Sequence, residues 1–274
     1  MAEYERMNKE EYREAKQQER NEVYDMLSAS TQSLMNRDEL KTYLDLQAQF
    51  FNQSPSNVLL IKAQNPQASW VRSSEEWKQD EVFPRRGEKG IMTLESVYYQ
   101  KLDGSLGRSF RVAKSFDISQ TTATGREIQM PNFKGVADHI ADASAVRVEP
   151  SDVVAEGLDA IWDMDGNRIC VRHGMSEEQE FYVTAREIAC VELAGQGKTR
   201  DDVLPLAECT AYVLSKRYGY DVPEPNLDRI IETFPGKEEK DVRKMLSDVR
   251  QTAGLMDAKA IDARNKERTM DMER

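Results

Sequence analysis

The sequence predicts an α+β protein of two domains. Residues 1–130 read as helices followed by a β-hairpin, and residues 131–274 as a mainly helical domain with a small sheet. Three observations predict this. Apolar residues recur at three- and four-residue spacing over most of the chain. Two β-rich runs flank an Asp-Gly turn. Between the halves lies SQTTATGREIQMPNFKG, residues 119–135, a polar stretch containing Gly and Pro that reads as a linker. The length of 274 residues also suits about two domains.

The elements follow in order. Residues 1 to about 30 are rich in Glu, Lys, Arg and Gln and predict a solvated helix that frays at its start. Asn36 with Glu39 resembles a capping box for the next helix. Its apolar face is Leu40, Tyr43, Leu44, Gln47, Phe50 and Phe51. Ser54-Pro55 opens a third helix, with Pro at its first position, and Asn65-Pro66 closes it. Ser73 and Glu76 cap a short helix bearing Trp77. PRRGEKG (84–90) is turn chemistry. IMTLESVYYQ and RSFRVAKSFDI then flank Asp103-Gly104 as a hairpin.

In the second half, a helix and a strand are expected through Ile140 to Val148. A hairpin follows, IWDMDGNRICVRHG, turning at Asp165-Gly166. Ser176 and Gln179 cap a helix that stops at Gly195. Another runs from about Asp201 to Arg217 and ends at Gly219. PGKEEKDVRKMLSDVRQTAGLM is helical, and the last 18 or so residues read as a charged, loose helical tail.

Composition limits the function. Net charge is −11, so the molecule as a whole is no generic polyanion binder, and contact with nucleic acid needs a local basic patch. No apolar run approaches the ~18 residues of a membrane span. The first residues are charged throughout, unlike a signal peptide. Three cysteines are too few and too scattered for a disulfide framework. A soluble cytoplasmic protein without a membrane partner is expected.

The basic patch is found between Phe83 and Phe116, which holds seven Lys and Arg against three Asp and Glu. Tyr98, Tyr99, Phe110 and Phe116 are interleaved with them, and Trp70 and Trp77 lie just upstream. Single-stranded nucleic acid needs this combination, because cations meet phosphates while splayed bases stack on rings. Arg85, Arg86, Lys89, Arg111 and Lys114 are the candidate phosphate contacts, and Trp70, Tyr98 or Tyr99 the stacking platforms. Asn57 and Lys62 join them as candidate nucleic-acid-binding residues. An ordinary hairpin with core aromatics has the same composition.

The second constellation is FYVTAREIACVELAG, residues 181–195. A zincin helix carries His-Glu-x-x-His, two ligands at i and i+4 around a general base. Here the window reads Arg186-Glu187-Ile188-Ala189-Cys190. Glu187 keeps the position of the base and Glu208 could be a third ligand. Arg186 cannot coordinate a cation. Cys190 and Glu208 alone fall short of the three or four ligands of a zinc site. Arg186, Glu187, Cys190 and Glu208 therefore read as a degenerate metal site, without zinc or another cofactor and without catalytic residues. Arg186 would pair with Glu208 or another carboxylate. The rival is an atypical metallopeptidase with His173, Cys190 and Glu208 as ligands and Glu187 as base.

Several stretches resemble the ArdC antirestriction and LtrC-like family. They are YLDLQAQFFNQSPSNVLLIKAQNP, SWVRSSEEWK, RRGEKGIMTLE and FRVAKSFDISQT, then NRICVRHGMSEEQ, AREIACVELAG, AYVLSKRYGYDV and VRKMLSDVRQTA. They span roughly residues 33–255. The resemblance implies an N-terminal domain that binds single-stranded DNA and a C-terminal zincin-like metallopeptidase domain. It also implies a role in antirestriction or conjugation of a bacterial mobile element. The N-terminal signature is matched at Asn57, Trp70, Trp77, Arg86, Gly87, Lys89, Gly90, Phe116 and Asp117. The metal motif is matched only at Glu187 and Glu208, so a catalytically inactive pseudopeptidase is expected. Possible further partners are a host defence or conjugation protein. The acidic surface also permits a module that inhibits a host defence nuclease by mimicking DNA.

Overall fold

The computed structural model describes residues 8–123, 133, 135–152, 154–195 and 197–272. Most of the expected linker, and the expected frayed start at residues 1–7, lie outside them. The element order is α1 (Lys9–Ser33), α2 (Arg37–Gln49), α3 (Pro55–Gln64), β1 (Val71–Ser73), α4 (Ser74–Gln79), β2 (Ile91–Gln100), β3 (Leu106–Asp117), β4 (Arg147–Pro150), β5 (Ala160–Asp163), β6 (Arg168–Val171), α5 (Glu177–Ala194), α6 (Arg200–Arg217), α7 (Leu227–Ile231) and α8 (Glu239–Met272). The class is α+β, as the sequence predicts. Two compact units form: residues 1–32 with 56–127, and residues 33–55 with 128–274. The change of unit falls near residue 130, but α2 belongs to the second unit. Tyr212 in α6 donates its hydroxyl to Asp45 at 2.5 Å, and Arg37 pairs with Asp228 at 2.9 Å.

The first unit is a three-stranded sheet in the order β1-β3-β2, packed on α3. The Asp103-Gly104 turn sets the register of β2 on β3, from Gln100 opposite Leu106 to Ile91 opposite Ser115. Gly104 sits at φ +80, a conformation that costs glycine nothing. Val58, Leu59, Leu60 and Ile61 are all fully buried, so the middle turn of α3 is enclosed all round. Two amides on α3 close the outer edge of β2. Asn57 donates to the Leu94 carbonyl (3.1 Å) and accepts from its N–H (2.8 Å). Gln64 does the same for Met92, at 2.9 and 2.8 Å. A strand edge covered in this way cannot recruit another strand there.

Ser73 and Glu76 form the expected capping box. Asn36 caps α2 through the amides of Asp38 and Glu39, but the reciprocal half of the box is absent, and Glu39 reaches Ser33 Oγ instead. The chain enters α2 straight from a turn closed by Asn36 N–H on the Ser33 carbonyl, so the Asn36 amide is already used.

In the second unit the sheet order is β4-β6-β5, with β4 parallel to β6 and β5 antiparallel. Arg168 ties the three strands together, to Glu149 at 2.8 Å and Asp163 at 3.1 Å. Ser176 and Gln179 form the expected box at the start of α5, and Thr199 with Asp202 forms another for α6. The region expected to be a loose tail continues α8 to Met272 as one helix. Its buried stripe is Leu246, Val249, Ala253, Met256 and Ala260 at three- and four-residue spacing.

Candidate functional site

Antiparallel register sorts the hairpin residues onto two faces, because directly opposed residues share a face. One face carries Arg72, Met92, Leu94, Ser96, Tyr98, Arg108, Phe110, Val112, Lys114 and Phe116. The other carries Val71, Ile91, Thr93, Ser115 and Asp117, all buried, with Glu95 and Arg111 farther out. The first face is open. Tyr98 is 66% exposed, Phe110 is exposed, and Met92, Leu94 and Val112 are half-buried. None of its strand positions holds a carboxylate.

The candidate residues divide accordingly. Lys114 and Tyr98 lie on the open face. Arg111 lies on the opposite one, paired with Glu95 at 2.8 Å. Arg86 and Lys89 are exposed on the turn before β2. Lys89, Lys114 and Phe116 line a groove of about 980 Å³ with Tyr12 and Lys16 of α1, and the carboxylates of Glu19, Glu22 and Glu88 line it too. Arg85 is held by Glu88 at 2.8 Å and by the Ser119 carbonyl at 2.6 Å. Asn57 is committed to the β2 backbone, and Lys62 is half-buried on α3. Trp70 meets Trp77 edge-on at 5.3 Å, and the Arg72 guanidinium covers it at 4.7 Å while pairing with Asp80. One side of the Trp70 ring is therefore already occupied.

Composition alone does not single out Arg108 and Phe110 as contact residues, yet they share this face. The guanidinium of Arg108 lies 4.9 Å from the centre of the Phe110 ring and donates to Ser96 Oγ at 2.9 and 3.1 Å. The Asp-Gly turn carries the signal, because counting back from it places Arg108 opposite Tyr98.

Asp117 explains the buried end of this sheet. Its Oδ1 accepts from the amides of Ser69 (2.7 Å) and Trp70 (2.9 Å), and its Oδ2 from that of Ser119 (2.9 Å). Trp77, buried beside it, donates Nε1 to the Phe116 carbonyl at 2.8 Å. The matched Trp77 and Asp117 thus hold the sheet in place and are not displayed to a ligand.

On α5, Glu187 is fully buried and receives four hydrogen bonds. Arg200 donates Nε and Nη2 at 2.7 and 2.6 Å, Arg186 donates Nε at 2.8 Å, and Trp162 donates its amide at 3.0 Å. Of the two expected kinds of partner for Arg186, Glu208 or another carboxylate, it is another carboxylate that is used. Arg186 turns to its neighbour Glu187 and to the Ala160 carbonyl at 3.3 Å. Arg200, at the start of α6, escaped the sequence reading because only the packing of α5 on α6 brings it to Glu187.

Burial and the Glu187 charge push the Cys190 thiol up to about 12, against the pull of Arg200 and Arg186. Burial also raises the Glu208 carboxyl, despite the Asn226 amide and nearby Arg186, Arg229 and Arg200. Its Oε2 is buried without a hydrogen-bond partner. His173 is exposed, 3.9 Å from Asp152. Among the described residues no three His, Cys, Asp or Glu side chains converge in a way that could hold a metal. His173, Cys190 and Glu208 therefore do not assemble into the rival site. The residues around Glu187 do not fit a divalent cation, since two guanidinia occupy its oxygens and the nearby thiol stays protonated.

No protein-family model matches the chain, and no curated protein does. Among the described residues no helix is long and apolar enough to cross a membrane. Solved structures that are similar to it include two of one protein. Both are of the antirestriction protein ArdC of plasmid R388, each at 13% identity and each covered over 98% of its length. The metal-free form superposes with a TM-score of 0.55 over 87% of this chain, and the Mn(II)-bound form with 0.56 over 86%. Over most of its length, then, this chain has the fold of the ArdC antirestriction protein.

Proposed function

We propose that the chain is a single-stranded-DNA-binding protein of antirestriction type from a bacterial mobile element. The strand would lie across the open face of the first sheet. The observation that carries this reading is the face itself, on which Tyr98, Phe110 and Phe116 alternate with Arg108 and Lys114 and no strand carboxylate opposes a phosphate. Lys89 and Arg86 extend the cationic path beyond the sheet. Rings of this kind suit bases of any sequence, because every base has a π-face. The ArdC fold and the antirestriction role of its R388 representative support the biological setting.

The test is affinity for a labelled single strand as salt is raised. Each phosphate contact contributes a slope of about −0.7 in log K against log salt. Arg108→Ala with Lys114→Ala should flatten the slope by about 1.4. Arg111→Ala, on the opposite face, should leave it unchanged. A salt-independent wild type, or a double variant with the wild-type slope, would sink the reading.

The second unit, on this reading, is a pseudopeptidase without a metal. Arg186 and Arg200 bring two positive charges to Glu187, as many as a divalent cation would. Zinc or manganese should leave the melting temperature of the purified protein where it is. A rise that grows with metal concentration, as ligand binding to the folded state requires, would restore the metallopeptidase alternative.

A further inference from the structure

The far half of the hairpin is left unexplained by a strand lying on one face. From Val97 onward every β2 side chain is exposed, so β2 extends about 14 Å past its own last half-buried residue, Ser96. Its tip is apolar. Leu102 is fully exposed and Leu106 76% exposed. Tyr99, half-exposed, lies across Gly107, where an added Cβ would come within 2.5 to 2.9 Å of the ring. Gly107 thus keeps the ribbon thin beneath an aromatic cover. Between Val97 and its partner Ser109 stand two cations, Lys101 and Arg108, against one carboxylate. That carboxylate, Asp103, accepts from the Ser105 amide and hydroxyl, at 2.9 and 2.6 Å.

A two-stranded ribbon in water is marginal by itself. Exposed leucines at its end, with Lys101 and Arg108 near them in the ribbon, suit a partner that is flat and apolar at its centre and anionic at its rim. The terminal base pair of a duplex has that chemistry, because its stacking face is apolar and phosphates surround it. A second copy of this chain fits less well, since two cationic ribbons repel one another.

We propose that the hairpin tip is a wedge that recognises the junction between single- and double-stranded DNA. Leu102 and Leu106 stack on the last base pair, while the single-stranded arm runs along the open face past Tyr98, Arg108 and Phe110. This rests on the single-strand reading above and adds to it a preferred structure in the DNA.

Three labelled probes of equal total length test it against the full chain: a single strand, a blunt duplex, and a partial duplex with one single-stranded arm. The partial duplex should bind about tenfold more tightly than the single strand, as one added stacking contact gives. Leu102→Ser with Leu106→Ser should remove that preference and keep single-strand affinity, since both side chains are exposed and support no core. Equal affinity for single strand and partial duplex would overturn the wedge and leave the single-strand reading intact. A preference that survives the double variant would overturn it as well. Failure to bind any probe would overturn both. Concentration-dependent self-association in sedimentation, abolished by the same variant, would assign the tip to a second copy and overturn the wedge.

Discussion

Glu187→Ala should destabilise the second unit by about 3–5 kcal/mol, the cost of breaking a buried ion pair from one side. The side chain removed is fully buried and holds two guanidinia and one backbone amide, at 2.6 to 3.0 Å. Arg186 and Arg200 are themselves mostly buried, so water cannot take over the lost bonds. Both cations would then lose their buried counter-charge, and Arg200 would keep only the exposed Asp201 at 3.7 Å. Glu187→Gln should fall between, since it keeps one acceptor but turns an NH₂ toward a donor. Replacing all three residues with apolar side chains of similar volume should recover much of the loss, because desolvation no longer opposes folding. Urea unfolding followed through Trp162, whose amide is one of the four donors, reads these changes directly. A shift within about 0.5 kcal/mol for Glu187→Ala, the size of an ordinary surface substitution, would show that the cluster does not hold the unit together.

Asp117→Ala should cost the first unit about 1–3 kcal/mol, because the amides of Ser69, Trp70 and Ser119 lose a shared charged acceptor. Stability should also depend on pH. Burial alone would raise the Asp117 pKa, but hydrogen bonds from Ser119 and from the Trp70 and Ser69 amides outweigh it and hold the carboxyl below its ordinary value. The unfolded chain therefore takes up the proton first as pH falls. The stabilisation is complete above the unfolded value of ~3.9 and drains away below it, until the folded carboxyl is protonated too. The wild type should lose this increment in acid, whereas Asp117→Ala should show a flatter acid limb. Unfolding of the first unit between pH 6 and pH 2, followed through Trp70 and Trp77, measures it; parallel acid limbs for the two proteins would remove Asp117 as the cause.

Much of the fold was legible because its signals are local. The boxes at Ser73 and Ser176 and the turn at Asp103-Gly104 each involve residues within a few positions of one another, and each formed as read. The Asp165-Gly166 turn formed for a different reason. The left-handed residue there is Asn167, at φ +47, while Gly166 makes room for the Asp163 carboxylate and Arg168. The candidate interface was half legible. Composition pointed to the hairpin, but a list of cations and rings carries no face, and Arg111 and Lys114 stand on opposite sides because they are three residues apart in a strand of period two.

The sequence by itself determined the α+β class, the starts of α3 to α6 and both hairpins, and it excluded ordinary zinc ligands at Arg186. Those conclusions follow from side-chain chemistry and from backbone preferences acting over one turn. The helix expected before Val148, by contrast, is only short 3-10 turns at Ala137–His139 and Ala141–Ala143, and α7 was not read. Only the tertiary structure decided that α2 joins the second unit, that β4 runs parallel to β6, that Asn57 closes a strand edge, and that Arg200 reaches Glu187. Each of these depends on packing between segments distant in the chain. The free energy there comes from burying surfaces and satisfying polar groups together, and no short window of sequence holds both partners.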